Sequence, residues 1–223
     1  MRLSLLIDND VLIKCACYSL LDQVRPPDDR CGEVGVLGAA PFIVRGYLDK
    51  RGTINDRQSA RLRFDSYLQT VVILEPSAQE LALATTIEEA AMLRGIDLDG
   101  GESQLCAIAA FRMSPLLLTG DKRAIRGAEQ LQDEISALSL LHRRVVCLEQ
   151  AISGIVGRIG ALVTRSVICA EPAVDKTLSI CFECNSENPR PGFSPEGLVS
   201  YVRDLRAQAS TLLYESDAIT TNS

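Results

Sequence analysis

The chain has 223 residues, 47% of them hydrophobic and 23% charged, and 29 acidic against 23 basic side chains give a net charge of −6. That length and apolar content suffice for a large packed core and exclude disorder along the whole chain. No run of about eighteen apolar residues occurs, which excludes a membrane-spanning helix, and the N-terminus lacks the features of a secretory signal.

In chain order, the apolar run Leu3 to Ile7 reads as a buried strand, and Asn9 to Val24 has helical spacing. Pro26, Pro27, Asp28 and Asp29 mark a loop. Val34 to Ala40 reads as a second strand, followed by a helix through Tyr47 and Leu48. The charged stretch from Lys50 to Arg63 predicts a helical arm reaching about Leu68, and Val71 to Leu74 a strand or connector. Ala78 to Leu93 is a helix, and DLDGGESQLCAIAAFR is a glycine-rich turn leading into an alanine-rich helix. After Pro115, LLLT is a short buried strand ending at Thr119, and Gly120-Asp121 turns the chain into another helix. Val145 to Leu148 is the last strand. Helices are then expected over about 149–163, 165–182 and 195–214, with Asn185 to Gly192 as a linker and a frayed polar tail.

The alternation of strand and helix predicts an α/β fold: a three-layer α/β/α domain with a central parallel sheet over residues 1–150. Residues 151–215 read as a helical extension packed on it or used for association, and 216–223 as a flexible tail. The aliphatic composition, with no Trp, agrees with helices on a parallel sheet.

Ligands of open parallel sheets bind beyond the carboxyl ends of the strands. At those ends the sequence places Asp8 and Asp10, then Asp121, then Glu149, while Glu102 opens a helix after a double glycine. Each acid taken alone is accounted for as a helix cap, and Asp99 to Glu102 has capping-box spacing. Together they would repel one another unless a cation compensates, and hard oxygen donors suit Mg2+ or Mn2+. The lone His142 reads as a surface residue.

The strings LLIDNDVLIK, GGESQLCAIAA and LLLTGDKRAI, in that order, resemble the PIN-domain ribonucleases over residues 3–150. The resemblance implies a PIN-like fold and metal-assisted hydrolysis of phosphodiester bonds. It implies Asp8, Glu102 and Asp121 as catalytic, metal-holding acids, with Asp10 a further ligand and Thr119 and Glu149 in support. A further acid that many members carry after the second strand is absent, and Arg45 stands near its place.

The negative chain does not attract a polyanion through its overall field, so an RNA substrate would be held by local basic groups. Arg57 and Arg61, within the run Lys50, Arg51, Arg57, Arg61, Arg63, and Lys122 and Arg123 beside Asp121 are the expected contacts, with a solvated helix face as the plain reading of the first group. The eight cysteines are expected to be reduced and packed, in a cytoplasmic protein. Cys181 and Cys184 form a C-x-x-C with no second pair, which argues against zinc. Three other readings remain. One is a PIN-like scaffold or toxin or defence component acting through a partner, with a homodimer or an inhibitor protein as candidates. Another is a haloacid-dehalogenase-like phosphatase with Asp8 as nucleophile and Asp10 as acid. The last is plain structural packing of the C-terminal helices.

Overall fold

The computed structural model describes residues 3–26, 32–112, 116–190 and 192–215. The expected loop at Pro27 to Asp29, Cys31, Pro115 and the tail at 216–223 lie outside them.

Five parallel strands form one sheet in the order β3-β2-β1-β4-β5. They are β1 (Leu3–Ile7), β2 (Glu33–Leu37), β3 (Val72–Leu74), β4 (Leu116–Thr119) and β5 (Val145–Cys147). β1 and β4 are central and almost wholly apolar, as strands covered on both faces must be. Register is set by Leu5–Leu116 and Ile7–Leu118 on one side of β1 and Leu6–Gly35 on the other.

Helices cover both faces. One core packs Leu5, Ile7, Leu116 and Leu118 against α1 (Asn9–Cys17), α2 (Ala40–Lys50), α3 (Arg57–Tyr67), α7 (Leu148–Ile159), α8 (Ala161–Ala170) and α9 (Lys176–Cys181). The other packs Leu6, Leu117 and Val145 against α4 (Ala78–Arg94), α5 (Gly100–Phe111), α6 (Lys122–Leu131) and the end of α10 (Glu196–Gln208). The layers are therefore α/β/α.

Local chemistry explains where the elements start and stop. Ser77 and Glu80 form a capping box at the head of α4, and Gly95 ends it in the left-handed region at φ 66°. α1 stops at Cys17, well short of Val24. Ser19 turns left-handed (φ 58°), and Arg63 donates to the carbonyls of Ala16 and Cys17 at the helix end. The charged arm is not one helix: α2 ends at Lys50 and α3 begins after Asp56, whose side chain accepts from the Ser59 N–H. The two long C-terminal helices expected from spacing are also broken. Gly160 (φ 87°) separates α7 from α8, and Pro172 falls in the gap between α8 and α9.

The reduced state expected for all eight cysteines is corrected at one pair: Cys169 and Cys184 are joined by a disulfide. The fold brings the end of α8 onto the turn after α9, a contact that no local spacing reveals. Cys15, Cys17, Cys106, Cys147 and Cys181 are free and buried.

The C-terminal segment packs into both cores. Ile152, Ile155, Ile168, Leu178, Phe182 and Leu198 join the first, and Leu205, Leu212 and Leu213 the second. After α10 the chain runs beside β5, with the Val145 N–H donating to Leu212 O (3.0 Å) and the Tyr214 N–H donating to Val145 O (2.7 Å). This covers a sheet edge that would otherwise present unpaired backbone groups. No helix among the described residues is long and apolar enough to cross a membrane.

Candidate active site

The sheet order determines where a crevice can form. From β1 the chain moves outward to β2 and β3, then crosses back to β4 on the other side of β1. The connections diverge between β1 and β4, and the carboxyl ends of those two strands flank the crevice where open sheets bind ligands.

Asp8 follows β1, and Gly120-Asp121 follow Thr119 of β4. They line an open cleft of about 640 Å³ together with Asn9, Asp10, Lys14, Ile43, Asp99, Gly101, Glu102, Lys122, Arg123 and Arg126. Asp8 is the N-cap of α1, Asp99 of α5 and Asp121 of α6. Three helix N-termini thus face one cleft, and their dipoles favour negative charge there.

Asp8 is buried, and its two oxygens are oriented from both strands. Oδ1 accepts from the Asn9 N–H (2.6 Å), and Oδ2 accepts from the Thr119 hydroxyl (3.1 Å). Thr119 Oγ1 in turn accepts from the Asp121 N–H (3.1 Å), so one buried hydroxyl ties both acids together. Burial, with the Asp10 charge adding to it, pushes Asp8 up to about 6, against the Thr119 and Asn9 hydrogen bonds.

Glu102 folds back so that Oε2 accepts from the Asp99 N–H (3.0 Å), while Asp99 accepts from the Glu102 N–H (2.9 Å). Burial pushes Glu102 up to about 8; the Asp99 N–H opposes this, and the charges of Asp99, Asp121 and Asp8 add to it. For Asp121 burial acts upward, but hydrogen bonds from the Arg123 side chain and from the Arg123 and Ala124 N–H groups outweigh it and hold the carboxyl below its usual range. Arg123 also reaches Asp97 (2.6 Å).

Asp10 is raised by burial, against the pull of Lys14. Lys14 Nζ lies 2.6 Å from Asp10 Oδ2 and 2.7 Å from Asp175 Oδ2. Sequence reading missed Lys14 and Asp175. Lys14 stands one helical turn after Asp10, a spacing that signals an ion pair. Asp175 caps α9 in the C-terminal segment, and nothing local marks its approach to α1.

Glu149 does not face the cleft with the other acids. It is buried, its Oε1 is 2.5 Å from Lys122 Nζ, and its Oε2 has no hydrogen-bond partner among the described residues. Lys122 also lies over the ring of Tyr201 on α10, 4.9 Å from its centroid. Arg45 pairs with Asp65 on α3 (2.8 Å). Arg57 and Arg61 are not brought to the cleft. They line a separate depression with Asp49 and Leu62, and Arg61 is held by Asp49 and Asp65.

The donor set is all carboxylate oxygen, the chemistry that Mg2+ and Mn2+ take. Asp8 and Glu102 make no ion pair among the described residues, although the charge of Arg123 acts on Glu102, and burial is the main cause of the raised pKa of each. By chemistry and charge the residues fit a divalent ion. As placed, Glu102, Asp121 and Asp10 turn to internal partners, and no three His, Cys, Asp or Glu side chains among the described residues converge as a metal-holding group. No family model matches the chain, and no curated protein or solved structure matches it either.

Proposed function

We propose that the chain is a metal-dependent endoribonuclease that hydrolyses phosphodiester bonds in the cleft between β1 and β4. The observation that carries this reading is the position of Asp8, Glu102 and Asp121 at the crevice the strand order creates, with Asp8 and Glu102 in no ion pair among the described residues. The α/β/α layering is compatible with the resemblance of the three sequence strings to PIN-domain ribonucleases.

Asp8, Glu102 and Asp121 would hold the Mg2+ or Mn2+. The ion would supply a water made acidic enough to attack at neutral pH and positive charge for the developing oxyanion. Thr119 orients Asp8 from behind, so that one carboxylate rotamer is kept. Arg123, 67% exposed on the rim, has the freedom to leave Asp121 for a substrate phosphate, and Arg126 lines the same wall.

The test is degradation of labelled RNA with Mn2+. Wild type should cleave internally, and Asp8→Asn should lose about a hundredfold or more in rate while keeping its circular dichroism spectrum. Equal cleavage by both proteins would overturn the proposal. Turnover of a chromogenic phosphomonoester instead of RNA would favour the phosphatase reading.

The scaffold reading is favoured by one observation: Asp10, Glu102 and Asp121 are already satisfied by internal partners. Calorimetry decides between the two. A scaffold shows no Mn2+ binding at millimolar metal.

A further inference from the structure

The disulfide between Cys169 and Cys184 closes a loop of the C-terminal segment, and that loop carries two acids that reach out of it. Glu171 accepts from the Asn55 and Asp56 N–H groups at the head of α3, both at 2.7 Å. Asp175 reaches α1, its Oδ2 lying 2.7 Å from Nζ of Lys14 on the cleft wall. The crosslink thus closes the base of a strap by which α8 and α9 grip the sheet domain.

The turn at the crosslink is held against its own preference. Glu183, next to Cys184, has φ 51°, in the left-handed region that a residue with a Cβ rarely adopts. Arg165 on α8 ties the same turn: its Nε donates to Phe182 O (3.0 Å), and its Nη2 donates to Glu183 O (3.0 Å) and Ser186 O (2.6 Å). Leu178 and Phe182, inside the closed loop, are fully buried in the first core. Their packing keeps α9 docked when the crosslink is cut, so cutting it loosens the turn without undocking the segment. Cys169 and Cys184 are half-buried, within reach of a small thiol. The free cysteines Cys15, Cys17, Cys106, Cys147 and Cys181 are buried. Burial pushes the first four up to about 12 and Cys181 up to about 11, so near neutral pH they keep their protons and do not attack a disulfide.

We propose that Cys169 and Cys184 form a reversible thiol–disulfide exchange site that tightens or loosens the strap carrying Asp175 to the cleft. The co-reactant is a small-molecule thiol such as glutathione. Its thiolate attacks one sulfur of the bond, forms a mixed disulfide and releases the other cysteine as thiolate. A second thiol molecule then displaces the cysteine that remains. Two electrons and two protons pass to the protein, the two small thiols leave joined as a disulfide, and that oxidised form drives the reverse. Reduction removes one of the ties that keep Glu183 left-handed, and the positions of Glu171 and Asp175 loosen with the turn. The exchange is independent of what the cleft turns over.

The experiment is hydrogen–deuterium exchange read by mass spectrometry on the full chain, equilibrated with reduced or with oxidised glutathione. The oxidised chain should carry the 169–184 crosslink, and reduced glutathione should open it while Cys15, Cys17, Cys106, Cys147 and Cys181 of the folded chain resist alkylation. On reduction, amides over 170–186 and those of Asn55 and Asp56 should exchange about tenfold faster or more, with β1 and β4 unchanged. Cys184→Ser should show the fast pattern in both buffers, and Cys181→Ser should switch as wild type does. A bond that forms in neither buffer, or that reduced glutathione does not open in the folded chain, would overturn the proposal. So would equal exchange over 170–186 in the two states, or an acceleration that extends to β1 and β4, the mark of a staple for the whole fold. If Cys184→Ser fails to fold, Cys169→Ser carries the same comparison, and the two states of the wild type need no variant.

Discussion

Asp8 shows how one residue serves two ends. As the N-cap of α1 it stabilises the fold, yet its carboxylate is buried beside Asp10 and resists ionisation. Asp8 and Glu102 are both raised, to about 6 and about 8, so the folded chain binds more protons than the unfolded one between those values and the ordinary carboxylate range. The stability these two groups contribute to the metal-free protein should therefore be fully present below about pH 4 and be lost as pH rises through about 6 for Asp8 and about 8 for Glu102. Thermal melts in a chelator should show this decline, and Mn2+ should flatten it by balancing the charge. Asp8→Asn keeps a good N-cap and an acceptor for Thr119 while removing the charge. It should raise metal-free stability near pH 8 on the order of 2 kcal/mol, a few degrees in Tm, even as it removes metal binding. A melting temperature that rises with pH in the chelator would contradict this account.

At the scale of elements, the C-terminal helices are tied to the sheet domain by a few buried polar contacts. Glu171, between α8 and α9, is buried and accepts from the Asn55 and Asp56 N–H groups, each at 2.7 Å. Asn55 returns a bond from Nδ2 to the Ala170 carbonyl (2.8 Å). These contacts hold the turn that splits the expected arm into α2 and α3. Glu171→Ala leaves two donors at the head of α3 without their charged acceptor and should cost about 2–4 kcal/mol in urea unfolding. Glu171→Gln, which keeps one good acceptor, should cost less than half as much. Equal midpoints for the two variants would show that the carboxylate is not what anchors the turn. The same C-terminal segment carries Asp175 to Lys14 and Tyr201 to Lys122, so its docking also shapes the cleft wall.

At the scale of the molecule, the question is whether the first 150 residues stand alone. Ile152, Ile155, Ile168, Leu178, Phe182 and Leu198 are all at most 1% exposed and pack on the face that carries Leu5 and Leu118. At about 2 kcal/mol for each buried large side chain, their loss matches the whole stability of an ordinary domain, about 5–15 kcal/mol. A chain cut after Gln150 should be insoluble or should bind a hydrophobic dye and lose protease resistance. A soluble fragment with a cooperative melt would show the helices to be an appendage. Removal of 211–215 alone should be milder but should expose the β5 edge and promote association.

Much of the fold could be read in the sequence because its signals are local. The apolar runs 3–7 and 116–119, the capping boxes at Ser77 and Asp99, and the strand–acid–helix junctions at Asp8 and Asp121 each lie within a few residues. Those junctions were legible as a candidate site for the same reason: a parallel sheet places every strand's carboxyl end on one edge. Partners from distant parts of the chain were not legible. Arg57 and Arg61 looked available but lie away from the cleft, with Arg61 held by Asp49 and Asp65 and Arg57 donating to the Asp49 carbonyl. Glu149 looked like a cleft acid but is buried against Lys122, and Lys14 meets an aspartate from another helix. Periodicity and capping act over about one helical turn, so the sequence alone decides which elements form and which acids end the strands. Which charges are balanced and which are left exposed to an ion depends on contacts made only after the layers pack. Only the tertiary structure decides those contacts.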